Sequence, residues 1–207
     1  MEGIKHIIFD LGGVILNIDY SRPQQAFREL GVKNVEQLYS KQQQTGLFDQ
    51  LETGRISEEE FYDSIRELAG LPLSDGAIRD AWNSILLDFP LRRLQILQQL
   101  QLHYDTYLLS NTNAIHEAAF NRSLQQTCGY PTLAVFFEKI YLSHHVGLRK
   151  PNPAIFLHVL NDRGLKPEET LFIDDSPQHI ASAAALGFRT IHMADGMTME
   201  NDIFKPR

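Results

Sequence analysis

The chain has 207 residues, 43% of them hydrophobic and 22% charged, with a formal net charge of −7. That is the composition of an ordinary globular domain, with enough residues for a sizeable core. The acidic balance argues against nucleic acid or an anionic membrane surface as the main partner, because either needs a basic face. It leaves a small phosphorylated metabolite open, since a few local donors and a metal reverse the potential inside one cleft. Cys128 is the only cysteine, which suits a reducing compartment and a small, buried, apolar role for that residue. No apolar run approaches membrane-span length and no signal-peptide pattern precedes the first apolar segment, so the expected location is cytoplasmic.

The first element is the run Ile7-Ile8-Phe9, which ends in Asp10-Leu11-Gly12-Gly13-Val14. A short apolar run bounded by a turn signal reads as a strand buried on both faces of a parallel sheet. Asp10 therefore belongs at its carboxyl end, where open α/β sheets place ligands. Residues 15–20 alternate enough for a short extended flap, after which Ser21 is expected to cap a helix with Pro23 in its first turn. From there to about Phe89 the pattern is helical. Ser57-Glu58-Glu59-Glu60 is a capping box ahead of Phe61, Ile65 and Leu68, and residues 75–87 carry Ile78, Trp82, Ile85 and Leu86 at helical spacing. Trp82, Phe48 and Tyr62 are expected in the core of this stretch.

Pro90 reopens an alternating pattern. A helix over 91–102 leads to a strand at Thr106-Tyr107-Leu108-Leu109, which ends at Ser110-Asn111-Thr112. A helix over 114–126 leads to a third strand, Lys139-Ile140-Tyr141-Leu142. Lys150 then precedes a helix opened by Asn152-Pro153 and closed by Gly164. Leu171-Phe172-Ile173 is a fourth strand ending at Asp174-Asp175, and residues 188–193 form a fifth after another helix. Strands alternating with helices predict an α/β fold with a doubly wound, Rossmann-like parallel sheet. The helical stretch at 17–89 is read as a domain inserted after the first strand, the α/β core comprising 1–16 and 90–207.

In such a sheet the strand ends share one edge, so Asp10, Ser110-Asn111 and Asp174-Asp175 are expected to meet there, with Lys150 nearby. Separated carboxylates suit Mg²⁺, which is usually held by one or two of them together with waters and a substrate phosphate. A hydroxyl or amide at a helix start, with a lysine, suits phosphate oxygens. Together they imply phosphoryl transfer, in which an aspartate can be the covalent nucleophile. Taken singly, each residue reads first as a strand-end carboxylate, a helix cap or a surface lysine; it is their ordered joint occurrence that carries the reading.

Phe9-Asp10-Leu11-Gly12-Gly13-Val14, Leu108-Leu109-Ser110-Asn111-Thr112, Arg149-Lys150-Pro151 and Phe172-Ile173-Asp174-Asp175-Ser176 resemble the four ordered motifs of the haloacid dehalogenase-like (HAD) hydrolases. Asn17-Ile18-Asp19-Tyr20 and Glu52-Thr53-Gly54-Arg55-Ile56-Ser57 are similar to the subgroup containing the bacterial α-D-glucose-1-phosphate phosphatase. The resemblance implies strand order 5-4-1-2-3 and a helical cap at 17–89. It also implies a Mg²⁺-dependent phosphatase acting on a small sugar phosphate such as a hexose 1-phosphate, as a monomer or weak homodimer.

By the same resemblance, Asp10 forms an aspartyl-phosphate and binds Mg²⁺ with the Gly12 carbonyl and Asp175, while Asp174 stands behind the metal. Ser110 and the Asn111 backbone hold the phosphoryl oxygens, and Lys150 neutralises charge on Asp10 and phosphate. One departure concerns the position two residues after the nucleophile, where family phosphatases commonly place an acid and this chain has Gly12. Either the leaving group needs little help, as an anomeric hydroxyl would, or Asp19 supplies the proton; a local flap hydrogen bond is the other reading of Asp19. His144 and His145 are read as loop residues, and His179 as a tuner of the metal site or a helix-start residue. The competing functions are a metal-free 2-haloacid dehalogenase and a non-catalytic phosphometabolite-binding or partner-binding protein.

Overall fold

A computed structural model describes residues 2–33 and 46–205; the part of the expected helical stretch at 34–45 lies outside them. Five parallel strands, β1 (His6–Phe9), β2 (Asp105–Ser110), β3 (Lys139–Leu142), β4 (Thr170–Asp174) and β5 (Arg189–His192), form one sheet in the order β3-β2-β1-β4-β5. This is the expected order, with the first strand central. Phe9 is level with Leu108 on one side and Ile173 on the other, so Asp10, the next residue, emerges between the ends of β2 and β4.

The period-two pattern of β1 divides the core. Ile7 and Phe9 join Leu108 and Ile173 on one face, covered by Leu94 and Leu97 of a helix at Leu91–Leu100 and by Phe120 and Leu124 of another at Ala114–Cys128. Ile8 joins Tyr107, Leu109 and Phe172 on the other, under Phe156 and Val159 of the helix Pro153–Arg163 and Ala183 of the helix Pro177–Ala185. With both faces covered, the middle positions of the central strands are apolar on both sides, which is why those strands read as continuous runs.

Helices α1 (Ser21–Glu29), α2 (Gly46–Glu52), α3 (Glu58–Ala69) and α4 (Asp75–Asn83) pack on a separate cluster of Phe27, Phe48, Phe61 and Trp82. Trp82 is 4.8 Å from Phe48 between ring centroids and 5.9 Å from Phe61, so these aromatics are core as expected. The capping box at Ser57 and Glu60 is formed in both directions, and Asn152 accepts from the Ala154 amide ahead of Pro153.

Three local expectations differ. Ser21 is the first helical residue and not the cap: Asp19 accepts from its amide at 2.9 Å and its hydroxyl at 2.6 Å, an Asx-type turn that starts α1. Helix α4 stops at Asn83 because residues 85–88 pair with the flap instead; Asp19 N donates to Ile85 O, Leu87 N to Asn17 O and Asn17 N to Asp88 O. The chain entering and leaving α1–α4 is thus one antiparallel link. Finally, Ser143–Val146 forms a four-residue helix where a loop was expected. No helix among the described residues is long and apolar enough to cross a membrane.

Candidate active site

Asp10, Lys150 and Asp174 form the buried centre of the strand-end edge. Lys150 has no exposed surface. Its Nζ donates to Asp10 Oδ1 at 2.8 Å, to Asp174 Oδ2 at 2.7 Å and to the Leu109 carbonyl at 2.7 Å, which uses all three of its N–H groups. Burial opposes its charge, but Asp10 and Asp174 outweigh burial and raise its pKa above the ordinary lysine value. Asn111 fixes the loop that delivers it: the Asn111 side chain donates to Lys150 O at 2.8 Å and accepts from Lys150 N at 2.9 Å.

Burial pushes the Asp10 carboxyl up to about 7; Lys150 opposes this, while the negative charges of Asp174 and Asp175 add to it. For Asp174 burial also acts upward, yet Lys150 and His179 overcome it and hold the carboxyl below its ordinary range. His179 Nδ1 lies 2.9 Å from Asp174 Oδ1, and the Ser176 amide donates to the same oxygen at 2.7 Å. Asp174 is thereby committed to protein partners. Asp175 lines the cleft instead, close against Gly13, whose φ of 74° and lack of a Cβ both matter: a Cβ there would lie 2.9 Å from Asp175 Cγ.

Carboxylate oxygens of Asp10, Asp174 and Asp175 lie within 4.8 Å of one another. Three carboxylates facing one ammonium leave uncompensated negative charge, and the donors are hard oxygens, so the site fits a divalent cation such as Mg²⁺. The surrounding cleft, about 170 Å³, is lined also by Gly12, Ser110 and Asn111. Asp10, Gly12, Ser110, Asn111, Lys150 and Asp175 thus border this one space, while Asp174 does not line it. The Ser110 hydroxyl has one contact among the described hydrogen bonds, at 3.4 Å to the Asn111 carbonyl, so its oxygen is available to a ligand.

Three further features had no clear sequence signal. Ile18 Cδ1 occupies the space beside Gly12, where a Cβ would meet it at 2.9 Å. Glu52, at the end of α2, reaches the cleft and pairs with Arg149 at 2.8 Å, while Arg149 also binds Asp49 at 2.9 Å. His116 lines the cleft with its ring stacked on Trp82 at 4.6 Å. Asp19, by contrast, does not line the cleft and is turned into its Ser21 contacts, which hold its carboxyl below the ordinary range; this is the flap hydrogen bonding of its other reading. Tyr20 borders the cleft, whereas Arg22 lies 3.6 Å from Asp19 and is largely exposed.

Residues 4–187 match the haloacid dehalogenase-like hydrolase family. The chain is 36% identical over 200 residues to a D-ribitol-5-phosphate phosphatase of Bacteroides thetaiotaomicron, covering 97% of each. A HAD family enzyme of the same species, crystallised with magnesium and inorganic phosphate, superposes with a TM-score of 0.89 at 40% identity, covering 94% of this chain and 96% of that one. A HAD-like hydrolase from Porphyromonas gingivalis superposes with a TM-score of 0.86 at 38% identity, covering 97% and 94%. The chain belongs to the haloacid dehalogenase-like hydrolases. Within them it is a phosphatase, a hydrolase of phosphoric monoesters.

Proposed function

We propose that this enzyme hydrolyses a small sugar or polyol phosphate through an aspartyl-phosphate on Asp10. The supporting observation is the buried junction of Asp10, Lys150, Asp174 and Asp175 at the sheet edge. Magnesium is the cofactor, and Asp10, the Gly12 carbonyl and Asp175 would hold it; when bound it supplies positive charge to the carboxylates and the phosphoryl oxygens.

An oxygen of ionised Asp10 attacks phosphorus as the ester oxygen leaves with the bonding pair and takes a proton from solvent to become the alcohol; water then adds its oxygen to phosphorus, releasing phosphate and restoring the carboxylate. Lys150 keeps a positive charge beside Asp10 throughout, favouring the ionised nucleophile and offsetting the charge of the transferring group. Ser110 and the Asn111 backbone would hold the phosphoryl oxygens. Residues 17–89 would act as a cap that excludes water and carries Glu52 and Tyr20 to the substrate's hydroxyl-bearing end.

No acid stands at Gly12 and Asp19 is engaged elsewhere, which favours leaving groups of low pKa; general acid catalysis is typically worth about 10²–10⁴ in rate. A hexose 1-phosphate, with its anomeric leaving group, meets that requirement, while a relative's action on D-ribitol 5-phosphate makes a polyol phosphate the comparison. The test is phosphate release from glucose 1-phosphate, ribitol 5-phosphate and para-nitrophenyl phosphate, with and without Mg²⁺. Mg²⁺-dependent turnover that disappears in Asp10→Asn is expected. Undiminished turnover in that variant overturns the nucleophile assignment, and a clear preference for ribitol 5-phosphate over glucose 1-phosphate overturns the leaving-group argument.

A further inference from the structure

Outside the residues that line the active cleft, three potential ligands converge that the phosphatase chemistry does not use. Glu117 lies in the first turn of the Ala114–Cys128 helix, and His144 and His145 sit on the short helix following β3. Both histidines point Nε2 at one oxygen, Glu117 Oε2, at 3.0 and 3.2 Å. One ligand atom from each residue lies within 4.8 Å of the others.

Hydrogen bonding alone satisfies this arrangement poorly. Burial, reinforced by His145, lowers the His144 pKa against the opposing pull of Glu117. A carboxylate only accepts, so a neutral His144 ring carries its proton on Nε2 and leaves Nδ1 as an acceptor. His144 is 7% exposed, and its Nδ1 has no hydrogen-bond partner among the described residues. The Thr112 backbone lies beside the ring and favours its charged form.

We propose that Glu117, His144 and His145 form a second metal site, for a zinc-class divalent ion, separate from the Mg²⁺ site. With a cation on Nε2, the proton moves to Nδ1 and can be donated to the Thr112 carbonyl. Metal-bound histidines commonly give their other N–H to a carbonyl in this way. The spacing is also suitable: ligands at about 2.0–2.1 Å from a tetrahedral zinc stand about 3.3 Å apart, near the 3.0 and 3.2 Å observed. Two imidazoles and one carboxylate select a borderline ion such as Zn²⁺ over Mg²⁺, which prefers oxygen. His145 is 60% exposed, which gives the ion an entry path and leaves a coordination position to solvent.

The site would tie together segments that border the active cleft. Ser143 Oγ accepts from Thr112 N at 2.9 Å and donates to Thr112 O at 2.9 Å, directly after Ser110-Asn111, and the Gly54 turn packs on the His144 carbonyl closely enough to exclude any side chain at position 54. An ion there would stiffen the wall between the phosphate-binding loop and the α2 end.

The test is Zn²⁺ titration of the whole protein in saturating Mg²⁺, by calorimetry, with Co²⁺ as a spectroscopic probe of tetrahedral coordination. One Zn²⁺ per chain is expected for the parent protein and for Asp10→Asn. His145→Ala, a change at an exposed side chain, and Glu117→Gln should each weaken binding by at least about tenfold and abolish the Co²⁺ d–d bands, while melting temperatures without metal show that both variants fold. Absence of Zn²⁺ binding by the parent, unchanged binding in both variants, or loss of binding in Asp10→Asn alone overturns the proposal. None of these readouts depends on phosphatase activity.

Discussion

Lys150 illustrates how a single side chain binds the sheet edge together. It donates to carboxylates from β1 and β4 and to a carbonyl of β2, so three neighbouring strands end on one ammonium. Its value is asymmetric: removing one partner of a buried ion pair leaves uncompensated charge and costs about 3–5 kcal/mol. Lys150→Met is therefore expected to lower unfolding free energy by about that amount, read from urea midpoints in the absence of metal, and to reduce phosphate release to near background. Asp10, Lys150 and Asp175 were legible because each is a charge at the boundary of an apolar run or a Pro-marked turn. Glu52 and His116 were not, because a charged residue on an amphipathic helix has the same sequence appearance whether it faces solvent or a cleft.

Among the elements, the sheet was more legible than the connections. Strands buried on both faces are continuous apolar runs, and their order followed from the family resemblance. The short helix at Ser143–Val146 has too few residues to show a period, and the end of α4 is set by pairing with the distant flap, which local pattern does not encode. Arg149 joins α2 to the Lys150 loop through Asp49 and Glu52. Arg149→Met is expected to leave the buried Glu52 carboxylate poorly compensated and to loosen α2. Faster amide hydrogen exchange over residues 46–54 should accompany a fall in kcat/KM for sugar phosphates of about tenfold, ~1.4 kcal/mol in transition-state stabilisation. Unchanged exchange there shows that the helix is held by its apolar packing alone.

For the whole molecule, His116 links stability to pH. Its Nε2 donates to the Trp82 carbonyl at 3.3 Å, so its Nδ1 accepts from Asn113 Nδ2 at 3.2 Å; the helices on either side are joined through a neutral imidazole. Burial lowers its pKa to about 4 from 6.5. Between those values the unfolded chain binds the proton and the folded chain does not. The contribution is thus complete above pH 6.5 and is lost as pH falls toward 4, by about 3 kcal/mol across the window. Unfolding free energies measured through this range should fall with acid in the parent, and His116→Gln should flatten the slope; an unchanged slope assigns the acid sensitivity to other groups.

The three carboxylates gathered around one ammonium carry a kinetic consequence. Lys150 faces Asp10 and Asp174 with Asp175 close by, and this concentration of carboxylates would disfavour a dianionic ester until a cation has entered. Addition is therefore expected to be ordered, metal first and substrate second. Inorganic phosphate should consequently compete with the ester more strongly as Mg²⁺ rises, so that at high Mg²⁺ the enzyme is slowed by its own product.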